Sequence, residues 1–412
     1  MWRWITNILL LVTSIIFSLL LAEGLLRVTV DPVNYLRPRV EPDPILHHKI
    51  PPHSGGHDAW GFRNKTVPST SDIVAIGDSM TYGAVATANN SWPSRLQKYI
   101  NKKTYNLGLS AYGPAQYLYL LEHKALTLKP SLIIVGLYFG NDFIDAYNIV
   151  YKYDYWQFLR APDFPAEKST DIKVGVDFSL EENVPILRKL RRFATSHLIS
   201  YRLMSHTFAD TVRRIKTLYF SASFYPERTI LLVDNPKITT AFRVSRDNRH
   251  VDIHYPKMRE GLRISLEVLR RMHALCKDNN VEFVVALIPT KQSVFAKYIK
   301  GNSKLKNYDI LMQQIQNEEH IRDIIKNDFQ NQHLSYVDLL SDLRNGVDQG
   351  IRVYPSDEEG HPLKNGYDIM AKSIGAFLGR VTHDSLKFGG KSRMEALGDS
   401  YTPAGNFYDW GN

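Results

Sequence analysis

Cysteine is almost absent: Cys276 is the single one in 412 residues. That excludes an intrachain disulfide framework and any metal site built from several thiolates, and it leaves the redox compartment open. Neither a Walker phosphate loop nor a Gly-rich dinucleotide turn occurs, so nothing points to nucleotide binding. The formal charge of +9 comes without zinc-finger, homeodomain or basic-zipper spacing, and its Lys and Arg residues are scattered. Nucleic acid is therefore not an expected partner, and the charge suits a weak attraction to anionic lipid or acidic glycan. No internal repeat is present. Charge itself is missing from Ile5 to Ala22, where Thr6, Asn7, Thr13, Ser14 and Ser18 are the polar residues.

That uncharged run is near the minimum length of a membrane-spanning helix. Trp2 and Trp4 fit interfacial anchors, Arg3 supplies a flanking positive charge, and the amphipathic Glu23-Gly24-Leu25-Leu26-Arg27 follows. A cleaved signal peptide would need small residues three apart before the cut, and Leu20-Leu21-Ala22 does not offer them. An uncleaved anchor over residues 1–30 is the expectation. Arg27, Arg37 and Arg39 on the far side outnumber Arg3, so charge does not fix the orientation. The remainder is expected outside the cytoplasm, in a periplasmic or other extracytoplasmic space.

A hydrophobic share of 44% with 23% charge is enough for a sizeable core. After a Pro-rich connector, 31–59, short apolar runs alternate with helical stretches, the rhythm of an α/β fold with a parallel sheet. The runs are Ile73 to Ile76, Thr104 to Leu107, Ser131 to Tyr138, Val281 to Pro289 and Ser335 to Leu340. Helices are expected near Trp92 to Ile100, Ala115 to Leu126, Lys257 to Asn279 and Asn365 to Leu378. The sheet domain thus falls into two parts, 60–150 and 256–386, around an insertion at 151–255 rich in aromatic and basic residues. Within it, Arg188-Lys189-Leu190-Arg191-Arg192 and Arg213-Arg214 suit either solvated helix faces or a substrate- or membrane-facing lid. The tail, 387–412, is Gly-rich and looks loosely folded.

The first strand runs into Gly77-Asp78-Ser79-Met80-Thr81-Tyr82-Gly83, placing a serine beyond the carboxyl end of a strand, where open α/β sheets bind ligands. Gly-Asp-Ser alone is weak: Gly398-Asp399-Ser400 repeats it in the tail without a preceding strand, and Ser400 is taken as coincidence. Acyl transfer needs a nucleophile, a base, an orienting acid and donors for an oxyanion. Asn106-Leu107-Gly108-Leu109-Ser110-Ala111-Tyr112-Gly113 follows the second strand, and Phe139-Gly140-Asn141-Asp142 the third. Ser356-Asp357-Glu358-Glu359-Gly360-His361-Pro362 comes after the last. Each piece alone reads as a cap, a turn or a loop. Their order, each after a strand, converges on one edge of the sheet and favours a catalytic site. His47, His48, His53 and His57 lack a carboxylate partner pattern, so no metal is expected there.

This order and spacing resembles the four sequence blocks of the SGNH hydrolases, also called GDSL esterases and lipases, from about Trp60 to Leu378 outside the insertion, and the leading helix resembles the membrane-anchored bacterial members. The resemblance implies a three-layer α/β/α, flavodoxin-like fold and a serine ester hydrolase that needs no cofactor. Position by position it implies Ser79 as nucleophile and His361 as base. It implies an oxyanion hole from the N–H groups of Ser79 and Ala111 and the Asn141 side chain. Ala111 stands where the family has glycine, which requires backbone angles unusual for a residue with a Cβ. Phe139 replaces another glycine, which implies a bulkier pocket wall. The acid is open: the family spacing falls on Glu358, and the family residue type on Asp357. Asp357 is preferred, because a one-residue bulge is easier than a longer side chain in a fixed pocket.

The expected substrate is an acyl ester of a lipid or of an O-acylated glycan near the membrane. Tyr151, Tyr153, Tyr155, Trp156 and Phe158 are candidates to stack on sugars or line an acyl channel, and equally candidates for core. Two competing readings are an O-acyltransferase acting on a surface polysaccharide and a non-catalytic membrane-anchored binding or assembly protein with a decayed site. Oligomeric state is not legible in the sequence.

Overall fold

The computed structural model describes residues 2–165, 172, 174–175, 185–205, 228–233, 236–243 and 251–387. Ser400 with the tail beyond Lys387, and Arg213-Arg214, lie outside them. The chain begins with helix α1 (Trp2–Thr29), whose apolar side chains from Ile5 to Leu21 are exposed. At about 1.5 Å per residue its 28 residues exceed the hydrocarbon core of a bilayer. Its buried residue is Glu23, which accepts from the backbone N–H of Ile199 (3.1 Å) and Ser200 (3.0 Å) and from Arg27 Nε (3.0 Å).

A short antiparallel hairpin, β1 (Glu41–Asp43) and β2 (His47–Lys49), precedes the sheet. Then follow β3 (Ile73–Gly77), α2 (Ser79–Tyr82), α3 (Trp92–Ile100), β4 (Thr104–Gly108), α4 (Pro114–Leu120), β5 (Leu132–Tyr138) and α5 (Asp142–Lys152). The stretch expected as an insertion holds α6 (Ile186–His197) and an antiparallel hairpin of β6 (Arg228–Val233) and β7 (Ile238–Arg243). The chain continues through α7 (Pro256–Asp278), β8 (Glu282–Ile288), α8 (Lys291–Val294), α9 (Ala296–Lys300), α10 (Tyr308–Asn331), β9 (Ser335–Asp338), α11 (Leu340–Asp348) and α12 (Lys364–Lys387).

The five central strands pair in parallel in the order β4-β3-β5-β8-β9. Counting only those strands, this is the 2-1-3-4-5 order of a doubly wound sheet, with the chain reversing its direction of travel on either side of β3. Both faces are covered, which is why the strands read as continuous apolar runs rather than alternating ones. Val74 and Ile76 point into a core shared with Tyr117 of α4, Phe143 of α5 and Leu262 of α7. Ile73 and Ala75 point the other way, into a core with Trp92 of α3, Leu343 of α11 and Tyr367 of α12. Helix α10 belongs to both cores, with Ile321 and Phe329 in the first and Leu311 and Ile315 in the second. Burying a Val or Ile side chain of this kind contributes about 1.5–3 kcal/mol, so a shift of register by one residue is strongly disfavoured.

Candidate active site

In the sheet register Gly77 lies level with Gly108 and Gly136, so the segments after β3, β4 and β5 leave from one edge. At the first exit the chain turns at once into α2. A Cβ on Gly77 would come within 2.2 Å of Thr81 Oγ1, so the helix folds back onto its strand only because that position is glycine. Asp78 caps the helix, its Oδ1 accepting from Met80 N–H at 2.8 Å. Asn106 braces it from β4, donating Nδ2 to the Thr81 carbonyl (2.9 Å). Ser79 opens the helix, and its N–H has neither an intrahelical acceptor nor another acceptor among the described residues.

Ser79 Oγ lies 2.8 Å from His361 Nε2, across 282 residues of sequence. His361 Nδ1 lies 2.5 Å from Glu359 Oε1, which also accepts the His361 N–H at 3.1 Å. The hydrogen bond from His361 and its charge hold the Glu359 carboxyl down at about 2 against the opposing effect of partial burial. An ionised Glu359 has no proton to give, so Nδ1 is the donor, and the tautomer this selects is the one whose Nε2 can accept from Ser79. The Ser79 hydroxyl also lies 3.2 Å from Asp78 Oδ2, but the shorter contact is the one to His361.

The carboxylate on His361 Nδ1 is that of Glu359 and not that of Asp357 or Glu358, the two residues considered from the sequence. Asp357 Oδ1 accepts from the Glu359 N–H at 3.3 Å, turning the loop so that the second glutamate reaches the imidazole. The loop also does not follow a strand directly, since α11 intervenes between β9 and Ser356. What holds it is Lys291, which the sequence did not single out. This lysine is 3% exposed, and its Nζ donates to the carbonyls of Pro355 (3.1 Å), Asp357 (2.7 Å) and Glu359 (3.2 Å). Lys291 starts α8, just beyond β8, and Thr290 caps that helix while donating to Glu318. Glu318 in turn pairs with the buried Arg322 (2.5 Å), which reaches Asp338 at 2.7 Å. The loop carrying His361 is thus fastened to the far strands of the sheet.

Ala111 has φ of +62°, the left-handed region in which glycine is at ease and alanine costs about 1–2 kcal/mol. Its N–H has no acceptor among the described residues. The loop is pinned from outside: His48 Nε2 donates to the Ser110 carbonyl (2.9 Å), and Tyr112 donates its hydroxyl proton to the His48 carbonyl (2.7 Å). Burial lowers His48 to about 4, and in the neutral ring the bond to the Ser110 carbonyl places the proton on Nε2. His57 bonds the Ser54 carbonyl and the Tyr82 hydroxyl, and His47 the Tyr153 hydroxyl. Among the described residues no cluster of His, Cys, Asp and Glu has the makings of a metal site.

Asn141 ends the segment after β5 and donates Nδ2 to Asp145 Oδ2 at 2.6 Å, which fixes the amide with its nitrogen toward that carboxylate. The second Nδ2 hydrogen remains for another acceptor. Burial, opposed by that hydrogen bond and aided by nearby Asp78, raises Asp145 to about 7. Asp142 is fully buried, accepting from Tyr138 N–H (2.9 Å) and the Tyr117 hydroxyl (3.1 Å), and burial with the neighbouring Asp78 pushes it well up. Burial likewise raises Asp78 to about 6, with the Met80 N–H and His361 pulling it back. Phe139 does not form the bulky pocket wall expected of it. It is fully buried, edge-on to Phe143 and under the Arg322 guanidinium at 4.2 Å.

No family model matches this chain, and no curated protein matches it. Among solved structures it is similar to a GDSL-like lipase from Bacteroides thetaiotaomicron VPI-5482 (10% identity, TM-score 0.33, covering 75% of this chain and 87% of that one). It is also similar to a member of the lipolytic protein G-D-S-L family from Veillonella parvula DSM 2008 (13%, 0.33, 75% and 98%). A third is a catalytic mutant of an acetylxylan esterase from Geobacillus stearothermophilus (11%, 0.36, 76% and 96%). At such low values the chain's own geometry has to decide how its site is read.

Proposed function

We propose that this chain is a serine ester hydrolase of the SGNH type, acting by two-step acyl transfer. The observation that carries the reading is the unbroken line of hydrogen bonds from Ser79 through His361 to Glu359, assembled from the two ends of the sheet domain. A serine, an imidazole whose unprotonated nitrogen can face the serine, and a carboxylate on the other nitrogen are the parts that acyl transfer needs.

In the first step His361 Nε2 takes the hydroxyl proton, the Ser79 Oγ–carbon bond forms, and a tetrahedral oxyanion develops. Glu359 steadies the imidazolium. The bond to the leaving alkoxide then breaks as His361 delivers the proton to it, leaving the acyl-enzyme. Water gives a proton to His361 and attacks the acyl carbon, and the bond to Ser79 breaks as the proton returns. The N–H groups of Ser79 and Ala111 and the free hydrogen of Asn141 Nδ2 serve as oxyanion donors, each worth on the order of a hundredfold or more in rate. Helix α1 is a membrane anchor in this reading, and with the domain taken to lie outside the cytoplasm the site is within reach of acyl esters of lipids or surface glycans. The left-handed Ala111 backbone supports a working site over a decayed one, because it offers the N–H that a glycine would.

The test is hydrolysis of p-nitrophenyl acetate by the detergent-solubilised full chain. Wild type should turn it over, and Ser79→Ala should lose at least about a thousandfold. Equal rates for the two proteins would overturn the proposal. Adding oligosaccharide acceptors to the same assay separates hydrolysis from transfer, since a transferase would divert the acyl group from water to sugar hydroxyls.

A further inference from the structure

Helix α6 is built the wrong way round for a soluble protein. Ile186, Leu187, Leu190 and Phe193 follow a helical period and share one face, yet they are 73%, 76%, 60% and 59% exposed. Among the described side chains of this helix the buried one is Thr195, nine positions beyond Ile186 and therefore on the opposite face. Lys189, Arg191 and Arg192, all exposed, flank the apolar face.

The place of the helix is as telling as its pattern. Its end is tied to the end of α1: Arg27 Nη2 donates to the His197 carbonyl at 2.5 Å, and Glu23 accepts from Ile199, Ser200 N–H and Ser200 Oγ. Arg37 N–H donates to the Thr195 carbonyl at 3.0 Å. These residues sit directly beyond Ala22, where the uncharged run of α1 ends. A cavity of about 520 Å³ opens at the same junction, with Arg27, Arg39, His53 and His197 in its wall.

We propose that α6 is an interfacial helix that lies in the surface of the bilayer crossed by α1, its apolar face among the acyl chains and its basic residues on anionic headgroups. The occupant of the exposed face is thus an anionic lipid surface, argued from the tie of this helix's end to the end of the spanning helix and from the charge beside the face. The proposal rests on reading α1 as a membrane anchor. A helix held at this depth would keep the catalytic domain close against the membrane rather than free on a tether.

The test uses the full chain reconstituted in vesicles of phosphatidylcholine with phosphatidylglycerol. Single cysteines at Leu190→Cys, Phe193→Cys and Arg192→Cys, and at Leu20→Cys within α1, carry an environment-sensitive fluorophore. Cys276 is buried, and wild type serves as the unlabelled control. Spin-labelled lipid should quench the probes at 20, 190 and 193 and spare the one at 192, with stronger quenching at 190 and 193 when phosphatidylglycerol is present. Quenching at 20 with none at 190 and 193 would overturn the proposal and leave the anchor standing. Probes at 190 and 193 that respond to protein-to-lipid ratio instead would assign the face to a second copy and likewise overturn it. No quenching at 20 would remove both the anchor and the interfacial helix.

Discussion

His361 is held by a carboxylate two residues away: Glu359 Oε1 sits 2.5 Å from His361 Nδ1 and also accepts the His361 backbone N–H. The loop closes on itself as a small ring, and the geometry depends on Asp357 and Glu358 being passed over. Glu359→Gln should therefore lower kcat by about a hundred- to ten-thousandfold, because the amide no longer favours the tautomer with its lone pair on Ser79. Asp357→Asn and Glu358→Gln should stay within about tenfold of wild type. Steady-state kinetics on a small ester checks all three; a larger loss at Asp357 or Glu358 than at Glu359 would move the acid.

Lys291 holds the same loop through three carbonyls and is a positioning residue. Lys291→Met leaves those oxygens without their donor and should destabilise the fold by about 2–4 kcal/mol. It should also slow acylation at temperatures well below its melting point, because His361 and Glu359 then sample other positions. Pre-steady-state acylation rates together with thermal melts separate the two effects. Acylation at the wild-type rate would confine Lys291 to stability.

At Ala111 the backbone is already in the conformation that suits glycine. Ala111→Gly should keep activity within about twofold, with stability changed by less than about 1 kcal/mol, since relief of strain and added freedom of the unfolded chain oppose each other. Ala111→Val puts a β-branched residue in that region, and should cost about 1–3 kcal/mol and at least tenfold in kcat by tilting the N–H away. Full activity in the valine variant would show that this N–H takes no part.

The raised Asp145 gives a signature in stability against pH. A carboxyl at about 7 in the fold and near 4 when unfolded binds more protons folded than unfolded between those values. Stability from this group is present below about pH 4 and is lost as pH rises toward 7, by up to about 4 kcal/mol. Asp145→Asn keeps an acceptor for Asn141 and cannot ionise, so the slope over that window should flatten. Urea denaturation at pH 4.5, 5.5 and 6.5 measures it; equal slopes in the two proteins would contradict the account.

Much of this was legible in the sequence because local physics repeats. Apolar runs such as Leu132 to Tyr138 announce buried parallel strands, and a serine after one of them draws attention whatever follows. Ser79 and His361 stood out in that way, and the structure joins them. The position of the acid did not, since a difference of one residue depends on how the loop turns at Asp357. Lys291, Asn106 and Asp145 were missed for a different reason: each acts through a bond to a loop or helix whose proximity only the fold creates. The β6–β7 hairpin and helices α10 and α11 were missed too; in α10 the apolar period is diluted by polar residues such as those of Gln313 to His320. The connector looked passive, yet its His48 pins the Ala111 loop.

The central claim is that Ser79 is an activated nucleophile, and the most direct measurement is labelling of the detergent-solubilised protein with a fluorophosphonate probe. Wild type should label covalently, Ser79→Ala should not label, and Glu359→Gln should label slowly. Undiminished labelling of Ser79→Ala, or no labelling of folded wild type, would contradict the account.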